Sequence, residues 1–403
     1  MTAFIWRRFA AGALLGFVAT AQGHAVAAQP ALQSCVAAQA ERMDFSGAVS
    51  IVAPWGSATY ARGVQGGSGS TPISPHTRFN LGSAGKMFTA VAVMQLVDAG
   101  KVGLNDPVGR YVEGLTPEAA AVTVRQLLTH SSGLGDFFTP QNLPSIAQAR
   151  SVSDLMALVR SDTPAFRPGS RFQYSNSGFL ILGRLVERLS SESYGTYLQR
   201  RVFAPAGMSA TGMDPGAGAT RAVGMTAMDG GPPGSPAGGA PRRVLKAGPD
   251  LPSAPGPLHP SVEAALRGNP AGGSYSTVED MQRFFRALEA GRLVSLPTLQ
   301  RLTSTQIVAA PAQGGRPELD YALGFGVGVT EGHRWYGHNG GAPGVTVEAT
   351  AYPDDHTVMV VMSNRDPPSA SLLFRQLRPA IFAHDPEKAC TPKDQSERPD
   401  RRP

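Results

Sequence analysis

Cys35 and Cys390 are the two cysteines of this 403-residue chain, and lysine is rare, with five. Both cysteines lie near the chain ends among proline and charge, surroundings that argue against a cysteine nucleophile. The eight histidines show no H-x-x-x-H or H-E-x-x-H spacing, so no helix face offers the paired ligands of a zinc enzyme. The formal charge of +6 comes from scattered residues. No basic run interleaved with aromatics occurs, which argues against nucleic acid as a partner. There is no G-x-S-x-G elbow either: "LGSAG" has Leu81 where the first glycine must stand, which excludes a Ser-His-Asp site on an α/β-hydrolase fold. Beyond the first thirty residues no apolar run is long enough to cross a bilayer. What the chain does have, at 42% hydrophobic residues, is enough apolar material for a large core, in one two-lobed domain or two domains.

The N-terminus reads "MTAFIWRRFAAGALLGFVATAQGHAVAAQP". Arg7 and Arg8 precede an apolar run from Phe9 to about Ala21, and small-residue patterns follow at Ala19-Thr20-Ala21 and Ala25-Val26-Ala27. This is the layout of a secretory signal peptide over residues 1–27, with cleavage after Ala27. It predicts a secreted or periplasmic protein. In such a compartment Cys35 and Cys390 can form a disulfide that ties both ends of the mature chain together, two unrelated thiols being the alternative.

Residues 45–60 alternate around a Pro-Trp-Gly turn and predict a hairpin. Over 83–99 apolar residues cover most of the helix circumference, which predicts a buried helix stopped by Gly100, with Ser83 and Lys86 at its mouth. Helices are expected over 124–128, 152–160 and 178–189, and the Gly/Pro-rich stretch 229–260 reads as an exposed loop or insertion. Residues 276–290 open on a Ser/Thr cap and predict another helix. Four strands are expected in "YALGFGVGV", "HRWYGHN", "GVTVEATAYP" and "TVMVVMSN", followed by a helix over 369–382 and a disordered tail over 384–403. The order fits an α+β fold, an α/β sandwich. Its antiparallel sheet comes from both chain ends and is flanked by helices, with a mainly helical lobe, about residues 100–265, inserted within a single domain over 28–383.

Three stretches carry chemistry. In "SAGK" Ser83 and Lys86 share one helix face a turn apart. Burial and a helix N-terminus both lower a lysine pKa, and a neutral Lys86 can take the serine proton. In "YSN" Tyr174 and Asn176 sit on a turn entering a helix. A tyrosine beside a cationic lysine can exist partly as phenolate and shuttle a proton, and the asparagine offers a donor and an acceptor to an amide or ester. In "WYGHNGGAPG" His338 stands among Gly337, Gly340, Gly341 and Gly344, which let a substrate approach a strand edge. His338 can bind an anionic group or polarise a carbonyl, and the Gly341 N–H can serve an oxyanion hole. Each stretch alone also reads as ordinary turn and core.

Together, "SAGK", "YSN" and "HNG" resemble, in order, the S-x-x-K, Y-x-N and K/H-x-G signatures of the serine β-lactamase and penicillin-recognising hydrolase family. The likeness is to its class C-like and D,D-carboxypeptidase/esterase branch. It extends to "RQLLTHSSGL" and "GGSYSTVEDMQRF" and covers about residues 43–382. The resemblance implies an acyl-enzyme on Ser83 with Lys86 as base partner and Tyr174 as proton relay. It also implies Asn176, His338, Gly340 and Gly341 at the substrate, with the Ser83 and Gly341 amides as oxyanion hole, and no cofactor or metal. Small esters or amides, β-lactams or peptidoglycan-derived peptides are the implied substrates. His338 and Asn339 stand where many members carry lysine and threonine. Since free histidine titrates near 6.5 and is mostly neutral at pH 7, this fits carboxypeptidase and esterase branches better than an efficient β-lactamase. The alternatives are a class C-like β-lactamase and a non-catalytic peptidoglycan-binding or sensor protein of the same fold.

Overall fold

The computed structural model describes residues 26–66, 71–214, 220–227, 257–311 and 319–390. The expected leader and the stretch 229–260 lie almost wholly outside the described residues, as does the tail beyond Cys390. Helix α1 (Pro30–Arg42) leads into strands β1 (Gly47–Ala53) and β2 (Gly56–Arg62), the expected hairpin. A 3-10 turn over Gly82–Gly85 runs into α2 (Lys86–Asp98), and α3 (Asn176–Ser190) and α4 (Val278–Glu289) follow. Six strands come next: β3 (Ile307–Ala310), β4 (Leu319–Tyr321), β5 (Gly326–Thr330), β6 (His333–Ala342), β7 (Val345–Tyr352) and β8 (Thr357–Ser363). Helices α5 (Ser369–Phe382) and α6 (Pro386–Cys390) close the described chain. Strands β1 to β8 form one antiparallel sheet in the order β2-β1-β8-β7-β6-β5-β4-β3, so the first hairpin pairs with the last strand (Gly47 opposite Ser363). The sheet does come from both chain ends, with helices on either face.

Strand β8 shows why the sheet is a middle layer. Val358, Val360 and Met362 pack into the core shared with α2 and α4, whereas Met359 and Val361 pack with α1 and α5 on the opposite face. A strand buried on both faces reads as an unbroken apolar run, because alternate side chains meet different layers. Helix α1 starts on Pro30, with the Gln29 side chain accepting from the Leu32 amide, and its Cys35 is joined to Cys390 by a disulfide with a Cα–Cα separation of 5.4 Å. The expected disorder of the tail therefore needs correcting over residues 386–390, where α6 packs on α1 and α5 and the disulfide holds it. The helix expected over 152–160 is also shorter and ends at Met156. Its Ser151 capping box specifies the start, and no comparable signal marks the end.

Glu348 on β7 turns to the α5 side, where its carboxylate accepts from Ser371 Oγ at 2.5 Å. Burial pushes this carboxyl up to about 7, with Ser371 and Arg375 acting in the opposite sense. A raised carboxyl contributes stability that is complete below its unfolded value near 4.5 and is lost as pH rises through about 7. Glu348→Gln is therefore expected to resist unfolding better than the parent at pH 8, by about 1–2 kcal/mol, and to match it near pH 4. Denaturant melts at the two pH values check this; a gap that does not change with pH contradicts it.

Candidate active site

The turn that carries Ser83 is built from both sides. Phe79 and Asn80 pair with Ser276 and Tyr275, the Leu81 amide donates to Ser274 O (2.8 Å), and the Gly273 amide donates to Gly82 O (2.9 Å). On the other side β6 presses against the same turn. A Cβ on Gly340 would lie 2.0 Å from Leu81 O, and one on Gly272, whose φ is +144°, would lie 2.3 Å from Gly82 O. Neither position admits a side chain, because backbone meets backbone there. Gly340 is thus corrected from a substrate-facing glycine to a buried packing one, while Gly341 is exposed and lines the cleft with Ser83. Ser83 lies in the 3-10 turn, just ahead of the α-helix that Lys86 begins.

Lys86 is wholly buried. Its Nζ lies 3.3 Å from Ser83 Oγ, 2.6 Å from Asn176 Oδ1 and 2.5 Å from the carbonyl oxygen of Ala271. The rings of Tyr174 and Phe179 lie beside it, with centroids 4.8 and 5.4 Å away. Burial lowers its pKa to about 7, opposed by the charge of Asp136. At neutral pH a large fraction of Lys86 therefore carries a lone pair.

Asn176 opens α3 behind the N-cap Ser175, whose side chain accepts from the Gly178 amide at 3.0 Å. Its Oδ1 accepts from Lys86 and its Nδ2 donates to the two Asp136 oxygens (3.0 and 2.9 Å), so a carboxamide that lines the cleft is held from two sides. Tyr174 Oη is buried and makes no hydrogen bond of good geometry, although the Ser83 hydroxyl lies close enough to act on it. Burial pushes its pKa above the ordinary phenol value, with Ser83 acting in the opposite sense. The phenolate expectation is therefore corrected: Lys86 lies against the ring rather than at the oxygen, so Tyr174 stays a neutral phenol beside Ser83.

His338 also departs from expectation. Nδ1 donates to the Asn339 carbonyl (2.6 Å), so Nε2 is the acceptor and the Tyr321 hydroxyl donates to it at 2.9 Å. Burial and Lys86 lower its pKa to about 4, and the ring is neutral at pH 7. Both nitrogens are occupied, so the expected role as an anion anchor does not fit this site. Among the described residues lining the cleft, the cationic side chain is Arg267, which Asp214 holds in a two-point ion pair at 3.0 Å.

The sequence reading gave no role to Asp136, Ala271, Tyr321 or His130. His130 clamps the Tyr174–Asn176 turn: Nδ1 accepts from the Ser175 amide (3.1 Å), its carbonyl accepts from the Gln173 amide (2.7 Å), and its ring lies 4.1 Å from that of Tyr174. "RQLLTHSSGL" carries no local period that encodes its contact with residue 175, 45 residues further along the chain.

A serine-bearing turn caught between a helical lobe and a glycine-bearing strand, with a lysine buried behind the serine, is the arrangement of penicillin-recognising serine hydrolases. The Beta-lactamase family model matches residues 32–380, and the chain belongs to that family. Among curated relatives it is 33% identical over 144 residues to penicillin-binding protein 4* of Bacillus subtilis (strain 168), covering 35% of this chain and 31% of the relative. It is 37% identical over 141 residues to penicillin-binding protein 4 of Amycolatopsis lactamdurans, covering 34% of this chain and 36% of the relative. The matched region thus spans about a third of the length of each. Among solved structures it is similar to a penicillin-binding protein from Bacillus halodurans (TM-score 0.70, 26% identity, 87% of this chain and 98% of that one). It also shares its fold with the D-amino acid amidase of Ochrobactrum anthropi SV3 (TM-score 0.69, 23% identity, 90% and 99%).

Proposed function

We propose that this protein is an exported serine hydrolase that cleaves an ester or amide through an acyl-enzyme on Ser83, of the D,D-carboxypeptidase-like or esterase/amidase type. The observation that carries the reading is the buried Lys86 amine 3.3 Å from the Ser83 hydroxyl, with two carbonyl-type oxygens holding it there. Lys86 removes the serine proton as Ser83 attacks the substrate carbonyl. The Ser83 and Gly341 amides, on the two walls of the cleft, receive the developing oxyanion. Tyr174 donates its proton to the leaving group, and the proton gained by Lys86 returns to the phenolate oxygen through a water molecule admitted to the cleft; the same groups then serve the water that releases the acyl chain. A neutral His338 and a paired Arg267 favour substrates without a carboxylate beside the scissile bond, the esterase and amidase side of the family. The Cys35–Cys390 disulfide supports export, since such bonds persist in oxidising compartments, and it agrees with a signal peptide over residues 1–27.

The test is a covalent one. Intact-mass analysis after a p-nitrophenyl ester or a fluorescent penicillin should show one added acyl group, located on the peptide containing Ser83. A persistent penicillin adduct marks a D,D-peptidase, and rapid turnover marks a β-lactamase. No adduct with either reagent, together with no hydrolysis of either, would sink the proposal and leave a binding protein of this fold.

A further inference from the structure

A neutral lysine amine has two N–H bonds and one lone pair. The carbonyl oxygen of Ala271 and Oδ1 of Asn176 can only accept, so together they take both N–H bonds of Lys86. The lone pair is then left for the third neighbour, the Ser83 hydroxyl. This arrangement depends on which way the Asn176 carboxamide is turned. Turned over, its NH2 would donate into the lysine lone pair, and the base would be occupied before any substrate arrived.

Asp136 decides the orientation. Both of its carboxylate oxygens accept from Asn176 Nδ2, at 3.0 and 2.9 Å. An ionised carboxylate has no proton to offer, so the flipped amide would set oxygen against oxygen. We propose that Asp136 is a positioning residue of the acylation step: it locks the Asn176 carboxamide with Oδ1 toward Lys86 and thereby aims the lysine lone pair at Ser83. This rests on the reading of Ser83 and Lys86 as nucleophile and base. Asp136 touches neither residue and acts through Asn176.

The groups around Lys86 are Ser83, Asn176, the Ala271 carbonyl and the rings of Tyr174 and Phe179. The titratable neighbours sharing its field are Asp136, His130 and His338, with Asp162 close to Asp136. Both histidines are held neutral by burial, so Asp136 is the charge that acts on the lysine, and it favours the protonated amine.

Asp136→Asn keeps the size of the side chain but can donate as well as accept, so it no longer enforces one orientation. Its kcat/KM for p-nitrophenyl acetate is expected to fall about tenfold with KM little changed, and Asp136→Glu should recover most of the loss. Lys86 should also titrate about half to one pH unit lower in Asp136→Asn, because a partly screened opposite charge has gone. That midpoint can be read without turnover, by NMR of protein carrying 13C-labelled lysine. Five lysines keep the spectrum simple, and a Lys86→Arg sample identifies the signal. An Asp136→Asn protein with the parental kcat/KM and the parental Lys86 midpoint overturns the proposal, provided Ser83→Ala is inactive. If Ser83→Ala hydrolyses the ester as fast as the parent, the nucleophile reading itself has failed.

Discussion

Ser83→Ala is expected to lower kcat/KM for p-nitrophenyl esters by about a thousandfold or more and to remove the acyl adduct entirely. Alanine leaves no oxygen to acylate, and the remaining lysine, tyrosine and backbone amides can only orient a water molecule. The fold should not suffer. Ser83 lies in the short turn before α2, and Lys86 keeps its bonds to Asn176 and Ala271 when the hydroxyl goes. An unchanged melting temperature with lost activity is therefore the expected pair of results. Equal hydrolysis by the parent and the variant would show that another residue attacks the ester.

The second large effect concerns the base. Lys86→Ala should reduce kcat/KM by about a hundred- to ten-thousandfold, the range that general-base catalysis supplies. It should also destabilise the protein by about 1–3 kcal/mol, because Asn176 Oδ1 and Ala271 O lose a donor inside the site. Lys86→Arg separates charge from basicity: a guanidinium donates at every accessible pH and accepts at none. That variant should be inactive from pH 5 to pH 9. In the parent, the amine is neutral above about 7 and protonated below it. Its kcat/KM should therefore rise with pH through about 7. A profile that is flat across this range, measured on an ester without ionisable groups, would remove Lys86 from the base role.

Much of this site was legible along the chain. Ser83 and Lys86 are one turn apart where the 3-10 turn runs into α2, and Tyr174 and Asn176 flank the N-cap of α3, so local spacing brings each pair together. The buried character of α2 was written in its uninterrupted apolar residues, and the first hairpin in its alternation around Pro54-Trp55-Gly56. Helix α1 is weakly signalled along the chain, because its glutamines interrupt the apolar pattern and its start is marked only by Pro30 and a glutamine cap. Asp136 sits in a glycine-containing loop with no pattern of its own. Its importance comes from a contact forty residues along the chain, which no local period encodes.

The sequence by itself determined the chemistry available: a serine with a lysine three residues on, a tyrosine–asparagine turn, a histidine among glycines, and an α+β layering set by periodicity. Protonation and direction were decided by the tertiary structure. Desolvation brings Lys86 down to about 7 and His338 to about 4, and desolvation depends on the layers that close around a residue, not on its sequence neighbours. The same closure leaves Tyr174 a neutral donor, sets Gly340 against Leu81 rather than against substrate, and lets a distant carboxylate choose which face of Asn176 meets the base.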